Sequence, residues 1–404
     1  MENPTRAQVV IVGGGPAGIS TALFLSHAAP ELRERIVVLE KEHYPREKFC
    51  AGGVGARADK LLSSIGVTVD VPSVALNGVA FRAMGRTTVV RDGDIGRVVR
   101  RIEFDHELAR VAMERGISVL QGVRVEHVRR VGERVELETS RGKLRPSVVV
   151  AADGVGSVVR RALGFVSTTY HAQALEIDTE PVESDLPRDV ILFDASHREL
   201  PGYYWDFPTL VAGKEMVCRG VYLLRSGEQT PKVQIQDVLA QELEQRGLSL
   251  GRYRKKRFAE RGFEAHRPTA QPGVVLVGEA AGIDPVTGEG IAQAIQYGAT
   301  AGRYLARCLR EERFEMSDWS EVVAADSVGR DLRVREKGVS LFYGDIRPNV
   351  EHFLHSSPEF VKLGLQHFAG KPWSRADMAR AGMLALGHTA RWAASRATGL
   401  GRLP

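Results

Sequence analysis

Val9-Val10-Ile11-Val12-Gly13-Gly14-Gly15-Pro16-Ala17-Gly18 decides the fold. The apolar, β-branched run from Gln8 to Val12 reads as a short strand, and Ala17 to His27 follows at helical spacing, so a glycine turn joins strand to helix. The apolar run Ile36 to Leu39 supplies the next strand. Gly13, Gly15 and Gly18 fit GxGxxG in its required context, and Glu40 lies twenty-two residues beyond Gly18. Gly13 permits the tight turn, Gly15 lets a pyrophosphate approach the backbone, and Gly18 lets helix and strand pack closely. Past Pro16, the free amides from Ala17 onward are placed to bind phosphate oxygens. Glu40, with Lys41 beside it, accepts a hydrogen bond from a ribose 2′-hydroxyl and repels a 2′-phosphate. The turn is therefore expected to hold FAD or NAD and not NADP.

Composition agrees with a cofactor-binding globular protein. The 404 residues suffice for two domains, or for one nucleotide-binding domain with a large insertion. Hydrophobic residues at 43% and charged residues at 26% exclude a disordered chain. No run approaches the roughly eighteen apolar residues of a membrane-spanning helix, and the polar stretch Met1 to Gln8 does not read as a secretory leader. Cys50, Cys218 and Cys308 lie far apart with no CxxC pair, which suggests neither a disulfide framework nor a zinc site and leads us to expect a cytoplasmic location. His27, His43, His106 and His171 are isolated and show no metal-ligand spacing. Net charge is +5, of which five arginines against Asp377 between Arg375 and Pro404 contribute +4. The remainder is close to neutral, which argues against a nucleic-acid surface. The basic tract itself, with Met378, Met383, Leu384, Leu386 and Trp392 among its arginines, reads either as a helix packed on its own protein or as an amphipathic surface touching lipid or a partner.

Farther along, Asp105 is expected to cap a helix through Glu114, with Gly116 closing it in the left-handed conformation. Ile117 to Leu120 reads as a strand, Val123 to Val131 and Arg134 to Thr139 as a hairpin around Gly132 and Glu133, and Ser147 to Ala152 as a buried strand leading into Asp153 and Gly154. Between Ser167 and Gly262 the sequence changes to strand-like runs with aromatics and one helix from Val233 to Gln245. Nucleotide-type sequence returns at Gly273, with a strand Val274 to Val277, a glycine-containing loop and a helix from about Gly290 to Leu309.

Four segments carry a family resemblance: Tyr44-Pro45-Arg46-Glu47-Lys48-Phe49-Cys50-Ala51-Gly52-Gly53; Arg101-Ile102-Glu103-Phe104-Asp105; Ala152-Asp153-Gly154-Val155-Gly156-Ser157 with Arg160; and Gly278-Glu279-Ala280-Ala281-Gly282-Ile283-Asp284-Pro285-Val286-Thr287-Gly288-Glu289-Gly290-Ile291. Over most of residues 8 to 310 the chain resembles the geranylgeranyl reductase branch of the para-hydroxybenzoate-hydroxylase-like flavoproteins. The resemblance implies that FAD is the cofactor, with Arg46 and Arg101 near its pyrophosphate and ribityl chain, Val125 backbone groups at the adenine, and Cys50, Ala51 and Gly52 in contact with it. It further implies Asp153 and Gly154 as a second flavin motif, Glu279 on the ribityl hydroxyls, Gly288, Gly290 and Ile291 against the flavin pyrimidine edge, and Ala280 and Pro285 among the cofactor-binding residues. The family usually has Asp where this chain has Glu279. The implied fold is α/β: a Rossmann-like FAD-binding domain (1–75, 98–166, 265–345), an inserted β-sheet-rich substrate domain (76–97, 167–264), and a helical C-terminal region (346–404).

A helix starting near Gly290 turns its positive end toward the flavin N1 and C2 carbonyl, which favours the reduced anion by about 0.3–2 kcal/mol. Pro201-Gly202-Tyr203-Tyr204-Trp205-Asp206-Phe207-Pro208 resembles the PxxYxWxFP element of the same family, with its first proline one residue too close. Alternation places Tyr203, Trp205 and Phe207 on one face of a strand, either as an aromatic substrate wall over the flavin or as ordinary sheet core. Tyr203, Trp205 and Cys50 are the candidate catalytic residues, and Cys50 falls where the family carries an active-site cysteine. The expected activity is reduction of carbon–carbon double bonds in an apolar isoprenoid or polyketide-like substrate by hydride from reduced flavin. A monooxygenase or halogenase acting through a peroxyflavin is the alternative, and a non-enzymatic flavin relay a third. Because no second GxGxxG exists, NAD(P)H is expected to dock transiently or an electron-donor protein such as reduced ferredoxin to supply electrons.

Overall fold

The computed structural model describes residues 8–227, 232–371 and 374–397. β1 (Val9–Val12) is buried throughout and passes through the glycine turn into α1 (Pro16–Ala28), after which β2 (Ile36–Glu40) returns parallel to β1. β3 (Gly53–Gly55), α2 (Ala56–Ser63) and the antiparallel pair β4 (Ser73–Ala83) and β5 (Arg86–Val99) leave this layer. α3 (Arg101–Glu114) and β6 (Ser118–Gln121) rejoin it. β7 (Val125–Val131), β8 (Arg134–Thr139) and β9 (Gly142–Leu144) form a small antiparallel sheet, and β10 (Val148–Ala151) then enters beside β1, followed by α4 (Val158–Ala162).

The inserted segment contributes β11 (Tyr170–Thr179), β12 (Val190–Asp194), β13 (Gly202–Val211), β14 (Lys214–Ser226), α5 (Ile235–Glu244) and β15 (Lys256–Arg261). β16 (Ala270–Gln271), β17 (Val274–Leu276) and α6 (Ile291–Arg310) complete the first layer. The chain then runs as α7 (Trp319–Ala325), α8 (Ser327–Tyr343), α9 (Arg347–Ser356), α10 (Pro358–Phe368) and α11 (Arg375–Ala397).

Two large sheets result. The first has the order β16-β17-β10-β1-β2-β6 and is parallel except for β16, and its inner strands β1, β10 and β17 are apolar along their whole length, as strands covered on both faces must be. The second has the order β15-β11-β14-β13-β12-β4-β5-β3. It takes in β3 from Gly53 onward, a segment expected to belong with the cofactor layer. α1 and α6 pack without intervening bulk: a Cβ on Gly298 would come within 2.5 Å of the Ser20 Cβ, and one on Gly302 within 2.6 Å of the Leu25 amide nitrogen. This close approach brings the starts of both helices to one place.

One sequence expectation needs correction. Asp105 caps no helix, because α3 already begins at Arg101; the carboxylate is 1% exposed and is held by Arg101 (2.6 and 2.7 Å) and Arg46 (3.1 Å). In the C-terminal tract, α11 does pack on the protein through Ala381 and His388, while Met383 and Leu386 are exposed at 66% and 73%. The side chains of Met378 and Trp392 lie outside the described residues.

Candidate functional site

A cavity of about 1200 Å³ opens at the carboxyl ends of β1, β2 and β10. That is where open parallel sheets bind ligands, and it is larger than the roughly 300–1,000 Å³ of an ordinary small-molecule pocket. The glycine turn and the start of α1 line it through Gly13, Gly15, Pro16 and Ala17, and Glu40 and Lys41 line it from the end of β2. Arg46, Cys50, Arg101 and Val125 contribute from the segments that follow. Asp153 and Gly154, then Glu279, Gly288, Gly290 and Ile291, close the circuit. Residues from six separate segments thus meet around one space.

The remaining candidates sit one layer back. Gly18 supports the turn, since a Cβ there would lie 1.9 Å from the Gly13 carbonyl oxygen. Gly52 has φ +86° and faces the Val99 carbonyl, Ala280 is fully buried, and Ala51 packs in the core of the second sheet. Pro285 enters through its carbonyl, which accepts a hydrogen bond from the Tyr222 hydroxyl at 3.0 Å.

The donor set suits an anionic, polyhydroxylated ligand. Both α1 and α6 begin with glycine, have no side-chain cap and carry no acidic residue in the first turn, so their amides and positive dipole ends are directed at the cavity. In front of Gly15 the space is open, the nearest atom to a Cβ being Arg46 Nη2 at 3.8 Å. Asp153 uses Oδ2 to accept from the amides of Val158 (2.7 Å) and Val159 (3.3 Å), while its buried Oδ1 has no partner. Burial raises the Asp153 pKa, and a ligand hydroxyl would supply the missing hydrogen bond. Glu40, 4% exposed, accepts from the amides of Gly14 (3.1 Å) and Glu42 (3.0 Å) and pairs with Arg46 (3.1 Å). It therefore braces the turn as well as facing the cavity. FAD, with its pyrophosphate, ribose and ribityl chain, fits these residues.

The loop from Asp284 to Gly290 leads into α6 and is held from three sides. The hydroxyls of Tyr222, Tyr343 and Tyr203 donate to the successive carbonyls of Pro285, Val286 and Thr287. Asp284 accepts from the Val286 amide (2.7 Å) and the Thr287 hydroxyl. Behind it, Arg335 pairs with Asp284, Glu289 (2.9 Å) and Asp331 (3.1 Å), and Arg57 pairs with Glu289 and Asp331 (3.2 Å).

Strand register relocates the aromatic wall. Tyr203, Trp205 and Phe207 do share a face, whereas Tyr204 lies in the core on the opposite side of the sheet. Across that face Lys256, Glu176, Gly220, Trp205, Phe193 and Phe81 stand side by side, and the adjacent row holds Phe258, Ala174, Tyr222 and Tyr203. The cavity lies under the β15 edge, where Phe258 and Glu260 line it; Tyr203, Trp205 and Phe207 stand on a column three strands away and are not among its lining residues. Their face is packed with Val286, Val339, Leu365 and Ala369, so Trp205 is only 4% and Phe207 7% exposed. The Trp205 ring lies flat over Gly220, where any Cβ would be 2.2 Å from it. Trp205 and Phe207 therefore sit in packed sheet, the other reading the sequence offered, and the Tyr203 hydroxyl donates to the Thr287 carbonyl.

Cys50 remains at the cavity, with its Sγ accepting from the Gly52 amide at 3.4 Å and its own amide bonded to Glu176 (3.1 Å). Burial raises its pKa, which keeps the thiol protonated. Beyond it lies a second cavity of about 210 Å³ bordered by Arg101, Glu176 and Lys256. Glu260 is a functional candidate that no motif marked. Its one signal in the sequence is the alternation Lys256, Phe258, Glu260.

A two-sheet molecule with such a cavity defines the flavin-binding oxidoreductases. Residues 6–316 match the FAD binding domain family, and the chain belongs to it. The chain is 25% identical over 348 residues to a digeranylgeranylglycerophospholipid reductase of Methanosphaera stadtmanae, covering 79% of this chain and 82% of that one. A geranylgeranyl bacteriochlorophyll reductase-like structure from Thermoplasma acidophilum superposes with a TM-score of 0.66 at 20% identity, covering 93% and 95% of the two chains. A p-nitrophenol 4-monooxygenase of Pseudomonas putida shares the fold, with a TM-score of 0.65, 18% identity and coverage of 91% and 99%.

Proposed function

We propose that this flavoprotein reduces carbon–carbon double bonds in an apolar, isoprenoid-type substrate. The observation that carries the reading is the position of one cavity between two uncapped helix starts and a sheet edge bearing Phe258 and Glu260, with protonated groups facing it. The reductase name of the Methanosphaera relative supports the same chemistry. Bound FAD, once reduced, supplies a hydride. The amides of α1 would hold the pyrophosphate and Glu40 the ribose, and the braced 284–290 loop would present the start of α6 to the ring. The Cys50 thiol stays protonated beside the reacting region. Electrons arrive from NAD(P)H or reduced ferredoxin docking transiently.

Shared fold with the Pseudomonas monooxygenase supports hydroxylation as the second reading. The deciding experiment incubates FAD-loaded, dithionite-reduced protein with a geranylgeranyl glycerolipid, with and without oxygen, and follows product mass. Gain of two hydrogens without oxygen supports reduction. Gain of an oxygen atom in air, with no anaerobic product, overturns it.

A further inference from the structure

Glu260 is the penultimate residue of β15, on the strand edge that covers the large cavity. Its Oε2 is enclosed and has no hydrogen-bond partner. The same oxygen lies against Gly288, where a Cβ would come within 2.5 Å of it. An ionised carboxylate with one oxygen enclosed in this way would lack the donors that make burial tolerable, whereas a carboxylic acid can leave that oxygen as its neutral carbonyl and turn its O–H toward the cavity.

The groups around it act in the same direction. Burial is the main cause that holds the Glu260 carboxyl well above the usual carboxylate range; Glu279, Asp284 and Glu176 add to it, and Lys48 opposes it. Tyr203 and Tyr222 face the carboxyl from β13 and β14, and both hydroxyls stay protonated for the same reason, burial. Cys50, the other proton-bearing group lining the cavity, is raised by its own burial, and Glu260 adds to that shift.

We propose that Glu260 supplies the proton to the molecule reduced in this cavity, an inference that rests on reading the cavity as the flavin site. The acceptor gains two electrons and two hydrogens: a hydride from the reduced cofactor, which is left oxidised, and a proton released as the Glu260 O–H bond breaks. The carboxylate then takes a proton from solvent. Each turnover thereby returns the side chain to its starting state.

The test uses FAD-loaded enzyme reduced with dithionite and mixed anaerobically with one of two acceptors. Menadione takes a hydride and a proton, whereas ferricyanide takes electrons alone. Glu260→Gln is expected to slow reoxidation by menadione roughly a hundredfold, a usual contribution of general-acid catalysis, and to leave reoxidation by ferricyanide and the oxidised flavin spectrum unchanged. Glu260→Asp, which keeps an acid, recovers most of the rate. In infrared spectra at neutral pH, the wild-type enzyme shows a protonated carboxyl band that Glu260→Gln lacks. Equal menadione rates, equal slowing with both acceptors, or a band unaffected by the substitution each overturns the proposal. Should Glu260→Gln fail to hold FAD, the wild-type band and the Glu260→Asp rate decide. An enzyme that reduces menadione in this Glu260-dependent way but adds no hydrogen to any isoprenoid overturns the substrate reading and leaves the Glu260 assignment standing.

Discussion

The three glycines of the first turn are required for different reasons, and the difference is measurable. Gly13 sits at φ +107°, where a Cβ would lie 2.3 Å from the Ala152 carbonyl oxygen, and a Cβ on Gly18 would lie 1.9 Å from the carbonyl oxygen of Gly13. Gly15 has an ordinary extended conformation (φ −78°, ψ −178°) and open space before it. Gly18→Ala should therefore lower the stability of the apoprotein by about 1–3 kcal/mol through overpacking. Gly15→Ala should leave apoprotein melting unchanged or raise stability by up to about 1 kcal/mol, yet weaken FAD binding, because the methyl group enters the space in front of α1. Apoprotein melting with FAD titration checks both, and full affinity in Gly15→Ala would remove the pyrophosphate from this helix. The motif was legible because its meaning is local: strand, turn, helix and Glu40 lie within 32 residues, Val9 to Glu40. Glu260 was not, since Lys255-Lys256-Arg257-Phe258-Ala259-Glu260-Arg261 reads as a solvated strand until pairing with β11 buries one face of it.

At the level of elements, period two in β13 revealed which side chains share a face and nothing about which column of the sheet they occupy. Column order depends on pairing between strands far apart in sequence, and here it moves the aromatic residues under the C-terminal helices and leaves β15 over the cavity. The same limit explains Asp105, whose suitability as a cap was outweighed by two arginines, one of them distant. Trp205→Ala should accordingly cost about 3–5 kcal/mol of stability, as for other buried aromatics, while the fraction that stays folded keeps its flavin and reacts at the normal rate. Tyr203→Phe should behave differently. Removing the donor leaves the half-buried Thr287 carbonyl without this partner, for about 1–3 kcal/mol, and loosens the loop that presents α6, so FAD affinity falls along with melting temperature. Thermal melts and flavin titration of the two variants separate core from loop support. A Trp205→Ala enzyme with native stability and slow turnover would place this residue in the substrate site.

Across the whole molecule, the cofactor loop and the C-terminal helices are joined by charge. Asp331 on α8 meets Arg335 at 3.1 Å, Arg57 of α2 at 3.2 Å and His367 of α10 at 3.0 Å, while Arg335 also reaches Asp284 and Glu289 of the loop. Although burial opposes it, the neighbouring Arg335, His367 and Arg57 hold the Asp331 carboxyl far below its usual pKa. A folded-state value below the unfolded one means that the unfolded chain binds more protons, so stability rises with pH through this range. The contribution is complete above the unfolded value near pH 4 and is lost as the pH falls below it. Acid should thus release the C-terminal helices and the flavin together, since the same arginines hold both. Arg335→Met leaves Asp284, Glu289 and Asp331 with one partner fewer and should cost about 3–5 kcal/mol at neutral pH, the usual penalty for breaking a buried ion network. Because the Asp331 shift depends first on Arg335, the variant should also show a shallower loss of stability between about pH 5 and pH 3. Denaturant titrations at several pH values, read by both flavin fluorescence and helical circular dichroism, give the slope. Parallel slopes for wild type and variant would show that the acid sensitivity of this protein resides elsewhere, and flavin release well before helix loss would break the proposed mechanical link between α8 and the 284–290 loop.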